Sequence, residues 1–145
     1  MAELDEVIIQ ELSGAQEVIQ WFGRWPSFHD AEVVSVVLNR EGLSEIRIHA
    51  FNMLGEVDER GYYRTTKHAI VSFVFKNIRI MKLVDFNDQN VISGLELSKT
   101  EDGFSVTLYE CYGLSGYVSA ERISLKIEAG TPHSSIYEET AKLNT

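Results

Sequence analysis

From Ala31 onward, apolar and polar residues alternate along the chain in short segments, and this alternation constrains the fold more than any other feature. A period of two is typical of β-strands that bury one face. Residues 68–75 show it best, because their odd-numbered positions are all apolar: Ala69, Val71, Phe73 and Phe75. The other candidate strands are 32–39, 43–51, 78–84, 91–98, 104–111 and 119–128.

Turn signals separate these segments. Gly42 lies between the first two candidate strands, and Asp102 with Gly103 forms a dipeptide that is typical of a β-hairpin. Gly113 and Gly116 separate the last two strands. Because strands and helices do not alternate, a parallel sheet is not indicated. The sequence therefore predicts a mainly β fold, either an antiparallel β-sandwich or an open barrel of about seven strands.

One helix is predicted before the strands. Ser13 and Gln16 have the spacing of a capping box, in which two side chains bond the free amides at a helix start. Gly23 is a residue that commonly follows a helix end. The apolar residues between them recur at helical spacing: Ala15, Val18, Ile19 and Phe22. The sequence therefore predicts one amphipathic helix over residues 14–22.

The size and the ends of the chain fit a single cytoplasmic domain. A length of 145 residues is typical of one domain, here 1–145. The polar segment 131–145 is expected either to be a flexible tail or to form a short helix over residues 136–143. The acidic N-terminus does not fit a secretory signal, and no apolar run is long enough to cross a membrane. Cys111 is the single cysteine, so no internal disulfide is expected.

The acidic residues are unevenly distributed. The net charge is −9, and residues 1–60 contain 12 Asp or Glu against 4 Lys or Arg. A negative field repels phosphate backbones and attracts basic surfaces. We therefore expect a protein partner, such as a basic toxin domain, and no nucleic acid. The alternative is that the surplus acid only keeps the protein soluble.

The segment from Trp25 to Glu32 contains the residues best suited to chemistry, His29, Asp30 and Glu32. One interpretation is a metal-dependent hydrolase that uses these three side chains. However, metal sites need convergent ligands, and the other histidines show no matching spacing. His29 and Asp30 would also point to opposite faces of an extended chain. The favoured interpretation is a structural turn, in which Ser27 or Asp30 bonds backbone amides and His29 packs under an aromatic ring.

A long charged connection over residues 55–67 is the second candidate site. It contains Asp58, Glu59, Tyr62 and Tyr63, and tyrosine is a frequent anchor of protein interfaces. Together with Trp25, these residues form the predicted binding set. The alternative is a plain β-hairpin in which one of the two tyrosines packs inward.

No complete catalytic or metal-binding motif is present in the sequence, so neither an enzyme nor a cofactor is predicted. Cys111 has acidic and aromatic neighbours instead of the basic ones that activate a thiol, so we expect it to be buried and unreactive. A third functional hypothesis is a small-ligand carrier, with Phe73, Phe75 and Trp21 lining an apolar pocket. These aromatic residues are explained more simply as core.

Three stretches of the sequence together resemble a known family. They are Trp-Pro-Ser-Phe-His-Asp-Ala-Glu at 25–32, Phe-Asn-Asp-Gln-Asn-Val-Ile-Ser-Gly-Leu at 86–95, and Cys-Tyr-Gly-Leu-Ser-Gly at 111–116 with the strand at 120–123. Their order resembles the predicted immunity-protein family numbered fifty in bacterial polymorphic-toxin systems, over about residues 20–128. The resemblance implies a β-rich bacterial protein that binds and blocks a toxin domain. It also marks His29 and Asp30 as signature positions without an assigned role.

The sequence therefore predicts a non-catalytic protein-binding domain that acts as an immunity protein. Binding is expected through the acidic N-terminal part and the connection that contains Asp58 and Tyr62. A homodimer is also compatible with the sequence, because an exposed edge strand can pair two copies.

Overall fold

The computed structural model of the chain describes residues 2–132, and its fold is mainly β, as predicted. Six antiparallel strands close into a barrel in the order β1-β2-β3-β6-β5-β4. Two short helices precede them. The elements are α1 (Ala2–Glu11), α2 (Ala15–Phe22), β1 (Ala31–Val37), β2 (Leu43–Val57), β3 (Tyr63–Val84), β4 (Val91–Thr100), β5 (Gly103–Tyr112) and β6 (Ser115–Ala129).

Six strands form where the sequence predicted about seven, because the predicted strands 68–75 and 78–84 are two halves of β3. Asn77 has a positive φ of 57°, and the pairing with β6 shifts between Ile78 and Ile80. This irregularity is a β-bulge, which changes the side-chain alternation without ending a strand. In the sequence, the same change resembles a turn.

The core forms where strands β2, β3 and β6 place their apolar residues on one face. Phe73 of β3 pairs with Ile46 of β2 on one side and Leu125 of β6 on the other. All three side chains are buried. Val71, the adjacent inward-facing residue of β3, likewise pairs with Ile48 of β2 and with Ile127 of β6. The period-two pattern thus marks the inward face correctly.

The predicted helix is present as α2, but its start differs from the predicted capping box. Gly14, with a φ of 90°, is the N-cap, and no side chain caps the helix. Ser13 instead joins the sheet, because its carbonyl oxygen accepts a hydrogen bond from the Leu125 amide at 2.7 Å. A Cβ at Gly14 would collide with the Leu125 carbonyl, so the close approach requires glycine. The predicted end at Gly23 is confirmed.

Helix α1 was not predicted from the sequence. It buries Ile8 and Ile9, and the following linker buries Leu12, all against the same core as α2. The segment contains only three consecutive apolar residues, Val7 to Ile9, so the surrounding charges concealed its helical face. Neither described helix is long and apolar enough to cross a membrane.

The predicted burial of Cys111 is wrong, because the residue is exposed on β5. Strand β5 pairs with β6 only as far as Leu108, and past that residue β4 is its one neighbour among the described strands. The cysteine therefore lies on the part of β5 that β6 does not cover. Of the predicted polar tail, residues 133–145 lie outside the described part of the chain.

Candidate protein-binding surface

The candidate surface lies at the end of the β2–β3 hairpin, where both strands extend past their other neighbours. The pairing of β1 with β2 reaches His49, and the pairing of β6 with β3 reaches Ala69. Beyond these residues, β2 and β3 pair only with each other among the described strands, as far as Val57 and Tyr63. Residues 52–66 therefore form a two-stranded projection, which we call the hairpin tip.

Asp58 builds the turn of the hairpin tip. Its carboxylate oxygen Oδ1 accepts hydrogen bonds from the backbone N–H groups of Arg60 and Tyr62, at 2.9 and 3.0 Å. Its own backbone N–H donates to the Tyr62 carbonyl oxygen at 2.7 Å. The hydrogen bond from the Tyr62 amide is the main reason that the pKa of Asp58 lies below its usual value. Asp58 thus holds the turn in one conformation.

The hairpin tip exposes several apolar and aromatic side chains. Tyr62 and Tyr63 leave 66% and 60% of their surfaces accessible. The hairpin itself was one of the two predicted alternatives, but the expected inward packing of one tyrosine is wrong, since no further strand pairs with this part of the hairpin within residues 2–132. The other exposed apolar side chains of the tip are Met53, Leu54 and Val57.

The charges of the hairpin tip nearly cancel. Glu56 Oε2 lies 3.9 Å from Arg64 Nε, and Asp58 Oδ2 lies 3.9 Å from Arg60 Nη2. Glu59 is exposed beside the turn. Such long, exposed ion pairs contribute little to stability. Because the tip is nearly neutral, most of the acidic surplus of residues 1–60 lies outside it.

Helix α2 supports the base of the hairpin tip. The indole Nε1 of Trp21 donates a hydrogen bond to the Lys67 carbonyl oxygen at 2.9 Å. The Lys67 ammonium lies 5.0 Å from the centroid of the same indole ring, within the range of a cation–π contact. Asn52 Nδ2 donates to the Phe22 carbonyl oxygen at 2.9 Å. These contacts fix the direction in which the projection leaves the barrel.

Two histidines lie side by side at the same base. His49 Nε2 is 2.9 Å from His68 Nδ1, and His68 Nε2 is 2.9 Å from Thr65 Oγ1. Burial, and to a smaller extent His68, lowers the pKa of His49 to about 4. Burial also lowers the pKa of His68. Burial therefore favours the neutral form of both imidazoles.

Spacing in the sequence did not reveal this histidine pair. The β2–β3 pairing shifts register between Ala50 and Asn52, so counting residues outward from the turn does not match the two positions. The signal that was present is that His49 and His68 fall on two adjacent candidate strands. Because the sequence does not reveal where the bulge lies, the distance between the two histidines could not be inferred.

Trp25 does not join the other predicted binding residues. Its ring is 5.7 Å from Phe28 and 6.5 Å from Phe73, measured between centroids, with edge-on geometry. Phe28 is buried and Trp25 is half-buried. Trp25 thus packs on the core, and the structure brings only Asp58, Glu59 and the two tyrosines together at the hairpin tip.

The signature positions form a turn before β1. Ser27 Oγ accepts a hydrogen bond from the His29 amide at 3.2 Å. This is the predicted structural turn in the form in which Ser27 bonds a backbone amide. Asp30 has a φ of 62°, so the segment is not extended, and His29 Nδ1 lies 3.2 Å from Asp30 Oδ1. His29 is exposed and does not pack under a ring, which corrects that expectation.

Asp30 and Glu32 also differ from the expected roles. The Asp30 carboxylate accepts none of the backbone hydrogen bonds found within residues 2–132, while its amide donates to the Ile92 carbonyl oxygen at 3.0 Å. Glu32 lies on β1, and burial raises the pKa of its carboxyl group. In the described part of the chain, no group of three or more His, Cys, Asp or Glu side chains is arranged to hold a metal ion.

The residues proposed to line a ligand pocket belong to other parts of the structure. Phe73 and Phe75 are fully buried in the core, and Trp21 lies at the base of the hairpin tip. An open groove of about 450 Å³ lies instead beside the linker between the two helices, where Glu11, Lys76 and Arg122 contribute to its lining. Its lining mixes charged and apolar side chains and includes none of the three aromatic residues named in the carrier hypothesis.

Comparison with known proteins identifies a family. Residues 14–133 match the family described as Immunity protein 50, so the match covers most of the chain. It includes all six strands and the hairpin tip. Comparison with curated proteins and with solved structures gave no match. The family resemblance inferred from the sequence is therefore confirmed.

Proposed function

The chain belongs to the Immunity protein 50 family, and from this premise we propose that it neutralises a bacterial toxin by binding it without catalysis. The observation that carries the proposal is the hairpin tip. It is the part of the β2–β3 hairpin where apolar side chains are exposed on strands that no other described strand covers. The toxin domain is the expected partner, and the cytoplasm is the expected compartment.

The tip has two properties that favour binding. Tyr62, Tyr63 and Val57 supply rigid aromatic and branched surface, which loses little side-chain entropy when it is covered. Asp58 and its three hydrogen bonds hold the turn before any partner arrives. A preorganised contact surface costs less to bind than a mobile one.

Charge has a separate role in this proposal. Because the tip is nearly neutral, the acidic residues elsewhere in positions 1–60, such as Glu6 and Glu17, would attract a basic toxin over longer distances. Contacts at the tip would then determine how long the complex lasts. Association should therefore slow at high salt, while dissociation should change little.

The test is co-expression with a toxin domain that is encoded beside this gene, followed by measurement of cell survival and of the dissociation constant. We expect Tyr62→Ala with Tyr63→Ala to weaken the complex about 100-fold, the loss expected from a pair of interface anchors. Tyr112→Ala is the matched control, because Tyr112 is a similarly exposed tyrosine on β5. Equal loss in both variants, or none in either, would assign binding to another surface.

The same samples address self-association. Analytical ultracentrifugation of the free protein separates a monomer that binds toxin from a homodimer. If a dimer forms and the tip variant dissolves it, the tip is a surface between two copies and the toxin assignment is wrong.

A further inference from the structure

The second half of β3 leaves a free strand edge far from the hairpin tip. On one side, β2 stops pairing with β3 at Lys76. On the other side, β6 continues to pair with β3 as far as Val84. Residues 78–84, which we call the β3 edge, therefore have one neighbouring strand among residues 2–132. Backbone N–H and C=O groups at alternate positions point away from β6, as in any edge strand.

The side chains of the β3 edge are only partly covered. Met81 pairs with Val118, which is 1% exposed, so both lie on the inward face of the sheet. Met81 nevertheless leaves 38% of its surface accessible. Ile80 and Val84 are also exposed. An additional strand beside β3 would cover the open side of Met81 on the inward face, and its own side chains would lie next to Ile80 and Val84 on the opposite face.

The charge of the β3 edge is opposite to that of the whole chain. Residues 76–84 contain Lys76, Arg79 and Lys82 and no acidic residue, although the net charge of the protein is −9. The adjacent carboxylate of Glu121 has a pKa below its usual value. The largest cause is the hydrogen bond that Asn77 donates to it. The nearby cations Arg79, Arg122 and Lys76 add to this effect. Arg79 is already paired with Asp102 and Glu121, because its Nε lies 3.8 Å from Asp102 Oδ2 and its Nη2 lies 3.3 Å from Glu121 Oε2. Lys76 and Lys82 form no ion pair within residues 2–132, so they are the cations of this region that an acidic partner can meet.

These features identify the kind of partner. Lysine on an edge strand opposes pairing with a second copy of the same edge. A two-fold antiparallel pairing about Met81 would place the two copies of Lys82 diagonally across from each other, within about 7–8 Å. An acidic strand would instead meet complementary charge. We propose that the β3 edge binds an extended acidic segment of another protein, which adds to the sheet as a further strand.

The probe is a capped nine-residue peptide that alternates glutamate with valine and threonine, and the control peptide has lysine in place of each glutamate. Both are titrated into the isotope-labelled full chain while the amide signals are followed by NMR. We expect the acidic peptide to shift the amides of residues 78–84 and to leave the hairpin tip unchanged. Methylation of alternate peptide nitrogens should abolish binding, because strand addition requires those N–H donors.

Two variants isolate the charge. Lys82→Glu should weaken binding of the acidic peptide at least fivefold, whereas Arg40→Glu, in an exposed turn, should leave it unchanged. The proposal fails if both peptides bind equally, if neither binds, or if the shifts lie elsewhere. It also fails if the free protein dimerises through this edge, as shown by the same amide shifts on dilution. None of these measurements uses the toxin, so failure here leaves the proposed function intact.

Discussion

Strands β2 and β3 pass through two environments, and the contrast explains which parts of this protein are stable and which are available for binding. Inside the barrel, Ile48 and Val71 pair with each other and are fully buried. In the hairpin tip, Val57 and Tyr63 also pair with each other, yet both are more than half exposed. The difference is the presence of β1 and β6 beside the first pair. Burial here follows from neighbouring elements and not from residue type.

The largest expected difference between the two environments is in stability. Phe73→Ala removes a fully buried ring and should lower the free energy of unfolding by about 3–5 kcal/mol. Tyr63→Ala should change it by less than about 0.5 kcal/mol, since the ring is exposed. Urea titration of both variants provides the comparison. A loss above 2 kcal/mol in the Tyr63 variant would mean that the tip takes part in the core.

The next prediction concerns the histidines between the two environments. The pKa of folded His49 is about 4, below its unfolded value near 6.5, so the unfolded state takes up the proton first. The contribution of neutral His49 to the free energy of unfolding is therefore complete above about pH 6.5 and falls as the pH decreases toward 4. At pH 5, protonation of His49 in the unfolded state should lower the free energy of unfolding by about 2 kcal/mol.

The measurement is urea unfolding at several pH values between 7.5 and 5. His49→Gln should flatten the slope, whereas His29→Gln should preserve it, because His29 is exposed. If both variants keep the wild-type slope, another group is responsible for the pH dependence.

A smaller effect is expected at the turn. Asp58→Ala removes the acceptor for the Arg60 and Tyr62 amides, so we expect the tip to open locally while the free energy of global unfolding changes little. Hydrogen exchange at these amides should accelerate while exchange in the barrel stays constant. Glu59→Ala, at the adjacent exposed position, serves as the control. Uniform acceleration throughout the barrel would contradict the independence of the two regions.

The smallest effect is expected before β1. Asp30→Asn removes the charge next to His29 but keeps a residue that tolerates the positive φ of 62°. We expect a change of less than about 0.5 kcal/mol in thermal unfolding, as for other exposed ion pairs. A loss above 1 kcal/mol would indicate that the carboxylate has a structural role that its described contacts do not reveal.

The sequence predicted the strands and turns well because those signals are local. The alternation at residues 68–75 reflects one buried face, Gly42 and Gly113 lie between observed strands, and Gly103 begins β5 directly after a turn. The start of α2 was predicted less well, although its pattern was also local. Ser13 fitted a capping box, but its backbone bonds Leu125, a partner more than a hundred positions away in the chain.

The candidate site was predicted in part. Asp58, Glu59, Tyr62 and Tyr63 are together because they fall within six consecutive residues of one turn. Trp25 packs on the core instead, which could not be predicted because its contact with Phe73 depends on the closure of the barrel. The His49–His68 contact was missed for a similar reason, since it depends on a bulge.

The sequence by itself determined the mainly β character, the hairpin turns and the family, because each depends on residues that are neighbours in the chain or on ordered short motifs. Only the tertiary structure decided which parts of the strands are covered. Cys111 and Met81 lie on strands whose pattern gave no sign of exposure. The physical reason is that strand length is encoded locally, whereas the point at which a neighbouring strand stops pairing depends on the register of the closed barrel.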